Sequence, residues 1–421
     1  MSSVTLFPSS LQGTVTVPPS KSAAHRVILC AALSQGVCRI ENVALSNDIQ
    51  VTIQAVTALG AKVTLTGSTL TVDATRLFSQ PSAELDCGES GSTLRFLIPI
   101  AAAGGISSRY TGHGKLPQRP IGVYLDCLPP AGVRCETQGG LPLQTSGQLC
   151  PGVFSLPGDI SSQFVTGLLL ALPILNGDSR IILTSPLESA GYVDMTLEIM
   201  EQFGVRVQVL PDGYLIPGNQ RYQPHDCVVE GDWSQAAFFL AAGALGKHPL
   251  VIQGLSPSST QGDRAAAELF QRFGAAVKFT EEGLMVAPNT LNGIDIDAAQ
   301  IPDLAPILAV TGALSSGVTR ITGAARLRIK ESDRLAAITD GLTRLGGNVE
   351  QLPDGLIITG TPKLIGGKAL GYNDHRIVMS LSVAALRAET PVEITDAQSI
   401  NKSYPDFFSQ YNRLGGRAHV I

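Results

Sequence analysis

The chain has 421 residues, of which 44% are hydrophobic and 15% charged. That is globular composition, and the length exceeds what one hydrophobic core usually serves, so two domains are expected. A net charge of −5 gives no basis for nucleic acid or an anionic membrane as partner, so any anion site has to be a local cluster of basic residues.

Residues 1–21 lack both a basic start and an apolar run, so no signal peptide is expected. Pro19-Ser-Lys-Ser22 then opens a small, apolar helix, a short strand surrounds Arg39, and an amphipathic helix ends at Leu59-Gly60. The same triple returns as Glu89-Ser-Gly-Ser92, Arg109 and Ala131-Gly132, and again as Asp159-Ile-Ser-Ser162, Arg180 and Phe203-Gly204. Gly231-Asp-Trp-Ser234, Val251 and Phe273-Gly274 make the fourth copy. Pro302-Asp303, Arg320 and Leu345-Gly346 make the fifth, and Asn373-Asp-His-Arg376, Glu393 and Leu414-Gly415 the sixth. The glycines are 72, 72, 70, 72 and 69 residues apart. A glycine suits a helix end that needs positive φ. Strand, turn, strand follows several of them, as in Val205–Ile216 with its Pro-Asp-Gly turn. The chain therefore reads as six βαβαββ units in circular order, three to a domain. Aligned on Ser20, Ser90, Ile160, Asp232, Asp303 and Asp374, the six helix starts keep the same beat. Phe164–Leu175 is too short to span a bilayer and contains Pro173. Seven irregularly spaced cysteines, none after Cys227, argue for a reducing cytoplasm and against a disulfide framework. With no CxxC or HExxH motif, no metal site is expected.

Helix starts carry unpaired N–H groups and partial positive charge, so they attract anions. Taken alone, Ser162, Ser234 and Asp374 read as ordinary caps. Cations there are less ordinary. Lys21 and Arg376 sit at helix starts and Arg26 and Arg95 one turn in, against the dipole and with nothing local to compensate them. Lys115 and Arg119 stand in a loop. Arg328, Lys330 and Arg334 open a further expected helix, with Lys330 and Arg334 on one face. Lys402 precedes Tyr404-Pro-Asp-Phe407. This set implies small ligands bearing phosphate or carboxylate, gripped by forked Arg and point-charge Lys. Asp303 and Glu331 add carboxylates suited to proton transfer, with cap and ion-pair partner as equally open readings.

The segments Pro19–Arg26, Gly88–Arg95, Gln118–Ile121, Ser161–Gln163, Arg328–Arg334 and Tyr372–Arg376, followed by Lys402–Asp406, closely resemble the EPSP synthase (3-phosphoshikimate 1-carboxyvinyltransferase) family. The resemblance covers nearly the whole chain. It implies two pseudo-symmetric α/β domains, each of three βαβαββ repeats, with the active site in the interdomain cleft. Residues 1–19 with 230–421 would form the phosphoenolpyruvate side, and residues 20–229 the shikimate 3-phosphate side. The implied reaction moves the enolpyruvyl group of phosphoenolpyruvate to the 5-hydroxyl of shikimate 3-phosphate and releases phosphate, a step toward aromatic amino acids. It needs no cofactor and no metal, and the family expectation is a cytoplasmic monomer. By likeness, Lys21, Ser22, Arg26, Ser161, Ser162, Gln163, Ser189, Tyr192, Asp303, Arg326 and Lys330 would hold shikimate 3-phosphate. Lys21, Gly91, Gln163, Arg119, Arg334, Arg376 and Lys402 would hold phosphoenolpyruvate. Lys21, Asp303 and Glu331 would be catalytic, with Asp303 as base for the hydroxyl and Glu331 and Lys21 moving protons at carbon.

Two positions depart from the family's usual Asn, namely Glu89 and Arg326. A carboxylate at Glu89 would repel phosphoenolpyruvate unless turned away or paired. The sister transferase acting on UDP-N-acetylglucosamine carries a reactive Cys in the loop before the Arg-Pro step, and His113–Arg119 has none. A non-catalytic scaffold would have lost the cations and carboxylates, which are all present. The fourth start, Asp232-Trp-Ser234, falls where the chain crosses between domains and reads as structural.

Overall fold

In the computed structural model, which describes residues 2–421, the spacing of the glycines becomes a spacing of backbone geometry. Gly60, Gly132, Gly204, Gly274, Gly346 and Gly415 have φ of +112°, +92°, +78°, +116°, +90° and +99°. Each follows a helix or helical turn in the left-handed region, where a Cβ would be strained.

The described residues build six four-stranded sheets, all with one strand order. In the third copy, Val153–Leu156 pairs in parallel with Ser179–Leu183, which pairs antiparallel with Gly213–Ile216, which in turn pairs antiparallel with Gln208–Leu210. A parallel pair needs a crossover, and the helix Ser162–Ala171 supplies it. Three sheets take one strand from elsewhere in the chain. Cys227–Val228 completes the first copy beside Val37–Glu41, and Gly13–Thr16 completes the fourth beside Leu250–Gln253. Ser3–Phe7 lies inside the sixth, between Val392–Thr395 and Arg417–Val420. These are the circular closures that the repeat requires.

By its contacts the chain divides into two units, Met1–Pro18 with Gly231–Ile421, and Pro19–Glu230. Each contains three sheets, three inner helices and its own apolar core. The inner helices are Lys21–Leu33, Gly91–Ala103 and Ser162–Ala171 in one unit, and Trp233–Leu245, Ala305–Ala313 and His375–Ala384 in the other. They are apolar nearly all round, so they are buried nearly all round. Outer helices bury one face, as Asn47–Ala58 buries Ile49, Thr52, Ala55 and Val56.

Three expectations about helix starts are corrected. Ser20, Ser90, Ser161, Asp232 and Asp374 cap inner helices by accepting backbone N–H bonds, so the caps are Ser161 and Asp232 and not Ser162 and Ser234, while Asp374 is a cap as expected. Asp303 caps nothing. It sits in a 3-10 turn, Pro302–Leu304, ahead of its helix. Lys330 and Arg334 do not share a helical face either. A 3-10 turn ends at Ile329, Lys330 is extended, and the helix begins at Arg334 because Asp333 caps it. No helix among the described residues is long and apolar enough to cross a membrane.

Candidate active site

In the unit Pro19–Glu230, the residues singled out by sequence gather around the three inner helix starts. Lys21 Nζ lies 2.8 Å from Asp48 Oδ2 on the first turn of Asn47–Ala58. Nothing local in sequence offsets Lys21, but the fold brings it a carboxylate from 27 residues away, and Asp48 is a residue the sequence reading missed. Arg26 is buried. Its Nε donates to Thr196 Oγ1 at 2.7 Å, NH1 to the Ser22 carbonyl at 2.7 Å, and NH2 to the Tyr192 carbonyl at 2.9 Å. Burial brings its pKa down to about 10, with Tyr192 and Cys30 acting the other way. Arg26 thus ties the Lys21 helix start to the start of Ala190–Gln202. There Ser189 is buried with φ +57°.

Gln163 is fixed at both ends of its amide. Its Oε1 accepts from Arg95 NH1 at 2.6 Å and its Nε2 donates to Ser92 Oγ at 2.8 Å. Ser161 caps this helix and Ser162 is its first residue. A chain of hydroxyls links the first inner helix to the start of the second. His25 Nδ1 meets Thr52 Oγ1 at 2.8 Å, Thr52 meets Thr93 Oγ1 at 2.6 Å, and Thr93 donates to Ser90 Oγ at 2.8 Å. Burial, followed by the charges of Lys21 and Arg26, lowers the His25 pKa, so the ring is neutral.

Arg119 lies against Gly91, where an added Cβ would come within 2.5 Å of NH1. The Arg119 side chain is nearly buried and its Nε has no hydrogen-bond partner among the described residues. A near-buried guanidinium of this kind calls for an anion. Glu89 turns its carboxylate against Gly114, where a Cβ would collide with it.

The second group lies in the other unit and centres on Asp303. Its Oδ1 takes Arg334 NH1 at 2.9 Å and lies 3.9 Å from Lys330 Nζ. Its Oδ2 takes Arg376 NH2 at 3.0 Å, and its carbonyl takes Arg376 NH1 at 3.1 Å. Burial acts to raise the Asp303 pKa, but Arg376, Lys330 and Arg334 outweigh it and hold the carboxyl well below the usual range. Of the two readings left open for Asp303, ion-pair partner is the one found. Arg334 also donates to Glu331 Oε2 at 2.6 Å and from Nε to Asp374 Oδ2 at 2.8 Å. Burial works to lower the Arg334 pKa, but Asp374, Glu331 and Asp303 together raise it above the ordinary guanidinium value. Asp374, fully buried, caps its helix through the Arg376 backbone N–H at 2.9 Å and also accepts from Ser332 Oγ at 2.9 Å, so it does more than cap. Lys402 Nζ donates to the Asn373 carbonyl at 2.6 Å, and Arg326 NH2 to the Ala299 carbonyl at 2.7 Å.

The fourth inner helix start brings Ser234 Oγ to a carboxylate oxygen of Asp263 in the buried interior of the same unit. Burial, and next the charge of Asp303, push the Asp263 pKa up to about 6, against Arg376 and the Ser234 hydroxyl. Sequence reading passed over Asp263, whose Gln-Gly-Asp setting resembles any polar turn.

Chemically, one unit offers Lys and Arg beside polar helix starts. The other offers three cations, Lys330, Arg334 and Arg376, interleaved with carboxylates. Such surroundings suit anions that carry more than one charge and a proton that has to change hands.

The family model described as EPSP synthase (3-phosphoshikimate 1-carboxyvinyltransferase) matches residues 7–411. The chain is 43% identical over 427 residues to the 3-phosphoshikimate 1-carboxyvinyltransferase of Clostridium novyi, covering 99% of this chain and 98% of that one. It is 44% identical over 425 residues to the Clostridium acetobutylicum protein of the same name, covering 100% and 99%. Among solved structures, an EPSP synthase from Acinetobacter baumannii is similar over 100% of both chains, with a TM-score of 0.84 and 27% identity. An enolpyruvyl transferase from Streptomyces tendae is similar in fold over 100% of this chain and 98% of its own, with a TM-score of 0.81 and 20% identity.

Proposed function

The chain belongs to the EPSP synthase family and is an enolpyruvyl transferase of the shikimate pathway; we propose that the two groups of residues described above are its substrate sites. The reaction joins phosphoenolpyruvate to the 5-hydroxyl of shikimate 3-phosphate. In this reading Lys21, Ser22, Arg26, Ser161, Ser162, Gln163, Ser189 and Tyr192 take shikimate 3-phosphate, with Asp303, Arg326 and Lys330. Arg119, Arg334, Arg376 and Lys402 take phosphoenolpyruvate, with the Gly91 backbone, Gln163 and Lys21.

The observation that carries this reading is the gathering of Arg334, Arg376 and Lys330 on Asp303, with Glu331 bonded to Arg334. Enolpyruvyl transfer asks for that combination. The methylene carbon of phosphoenolpyruvate accepts a proton, which leaves its C2 electrophilic. The 5-hydroxyl oxygen bonds to C2 and its proton passes to Asp303. The intermediate still carries the phosphate, so its negative charge needs the surrounding cations. The methyl carbon then gives up a proton, the C2–O bond to phosphate breaks, and the C2–C3 double bond returns. Glu331 and Lys21 serve the protons at carbon, and Asp48 holds Lys21 by its ammonium.

Arg26 supports shikimate 3-phosphate mainly through Ser22 and Tyr192, since its N–H groups are largely committed to protein oxygens. The Glu89 carboxylate lies against Gly114, in the loop that leads to Arg119. Seven free thiols, three of them buried, support work in the reducing cytoplasm. A monomer is the expected state, to be checked by light scattering.

A coupled assay of phosphate release with both substrates tests the function. Shikimate 3-phosphate alone should raise Tm. The Asp303→Asn variant should keep the fold and lose turnover by about 100-fold or more. Near-normal turnover in that variant would remove Asp303 as the base.

A further inference from the structure

One carboxylate occupies two of the three guanidinium groups that the proposed function assigns to phosphoenolpyruvate. Asp303 Oδ1 holds Arg334 NH1 at 2.9 Å, and Oδ2 holds Arg376 NH2 at 3.0 Å. Protonating Asp303 in this setting would give up both ion pairs and the attraction of Lys330 3.9 Å away. So gripped, it is a poor acceptor for the proton of a hydroxyl. The reaction nevertheless needs an acceptor there. The two demands agree only if the cations leave when the base has to act.

The geometry lets them leave. Arg334 is anchored at Nε and NH2 by Asp374, at 2.8 and 3.2 Å, and at NH2 by Glu331 at 2.6 Å. Its NH1 can therefore change partner without breaking the buried pair with Asp374. The backbone N–H of Arg376 is held by the same Asp374, while NH1 and NH2 both turn to Asp303. These are the forked groups that a carboxylate or phosphate takes in bidentate fashion. Glu331 and Asp263 lie on the other side of the balance. Glu331 acts on Asp303 to raise its pKa. Asp263 and Asp303 also feel each other's charge. With the arginines drawn off, both carboxylates work to make Asp303 a stronger base.

We propose that phosphoenolpyruvate takes Arg334 NH1 and Arg376 away from Asp303, so that binding of this substrate uncovers the base for the 5-hydroxyl. The arginines then have two successive roles, first masking the base and then binding the anion. Asp303 stays unreactive until the second substrate is in place. This inference rests on the site assignment made above.

Competition gives it a signature that a merely structural Asp303 would not. Removing the carboxylate's charge should tighten phosphoenolpyruvate binding even as it abolishes turnover. Calorimetry on the full chain with phosphoenolpyruvate alone, comparing wild type, Asp303→Asn and Asp303→Glu, reads this directly. The expected result is an Asn variant that binds about five-fold tighter or more, and a Glu variant, charge intact, that does not. A destabilised Asn variant still reports, because phosphoenolpyruvate should then raise its Tm by more than it raises that of wild type. Equal or weaker binding in the Asn variant, with no larger rise in Tm, overturns the masking role and leaves the site assignment standing. Failure of wild type itself to bind phosphoenolpyruvate overturns the site assignment, and the masking role with it.

Discussion

Gly91 and Arg119 show how a side chain that is absent can matter to a charge that is present. A Cβ on Gly91 would stand 2.5 Å from Arg119 NH1 and 2.7 Å from Cζ. What it meets is the end of a long side chain, which moves at little cost to the fold. Gly91→Ala is therefore expected to keep Tm within a few degrees and to raise KM for phosphoenolpyruvate by about ten-fold, which corresponds to roughly 1.4 kcal/mol. Steady-state kinetics checks this, and an unchanged KM would take Arg119 out of the phosphoenolpyruvate site. Asp263 gives a prediction in pH. Its pKa rises from 3.8 to about 6, through burial first and the Asp303 charge next. Between those pH values the folded chain holds a proton that the unfolded chain has lost. Stability therefore falls as pH rises through that window and stays lower above it. Asp263→Asn, which keeps an acceptor for the Ser234 hydroxyl, should raise Tm at pH 8, and the gain should vanish near pH 4. Its size is at most about 3 kcal/mol. A gain that did not change with pH would mean that ionisation is not the cost. At this scale the sequence displays residue types and conceals partners. Lys21 is conspicuous at a helix start, but Asp48 lies 27 residues away, and Arg376 lies 73 residues from Asp303. Only the fold decides that a cation finds a carboxylate, and nothing local marks Asp263 as the neighbour of either.

Helix ends repeat because one backbone problem repeats. Each copy has to turn from an outer helix into a strand, and a glycine at positive φ solves it. The strain that Ala would meet is shared by all six sites, but the space around them is not. At Gly415 the nearest atom to an added Cβ is the Ser10 carbonyl oxygen at 3.4 Å, an ordinary contact. At Gly274 the Cβ would collide with the Thr290 carbonyl oxygen, which belongs to backbone and cannot swing aside. Gly415→Ala should thus cost about 1 kcal/mol from backbone strain alone, and Gly274→Ala clearly more. Urea titration of both variants checks the order, and equal losses would mean that the backbone at 290 yields freely. The same logic explains which elements could be read in advance. Strands around Arg39, Arg109, Arg180, Val251, Arg320 and Glu393 were legible because alternation and the turn that follows are local properties. The starts at Asp303 and Arg334 were not. A 3-10 turn and a first helical turn need the same residues, and here a tertiary ion pair, not a cap, takes the Asp303 side chain.

The whole molecule carries a consequence of circular order that no single copy shows. The unit Gly231–Ile421 is completed only by residues from the amino terminus. Ser3–Phe7 is an internal strand of its sheet, with Val4 and Leu6 fully buried, and Gly13–Thr16 is a strand of a second sheet. Burial of Val4 and Leu6 stabilises by roughly 3–6 kcal/mol, and removing their strand also exposes the hydrogen-bonding edges of two neighbours. By contrast, Pro19–Glu230 holds all its strands in one continuous stretch, Cys227–Val228 included. The fragment 19–230 should therefore melt cooperatively by itself, and the fragment 231–421 should not. Joining Ile421 to residue 1 by a short linker should rescue the second fragment as 231–421 followed by 1–18. The junction is open to this, since Ser3 and Ile421 already exchange backbone hydrogen bonds at 3.0 and 2.8 Å. Far-UV circular dichroism melts of the three fragments decide the matter. A cooperative melt of 231–421 without the first 18 residues would show that the internal strand is dispensable. The units would then not be the folding units that their cores describe. If the rescue succeeds, the crossing of the chain at residues 18–20 and 230–232 is a matter of connection and not of stability. The six-copy repeat would then survive a change in where the chain begins.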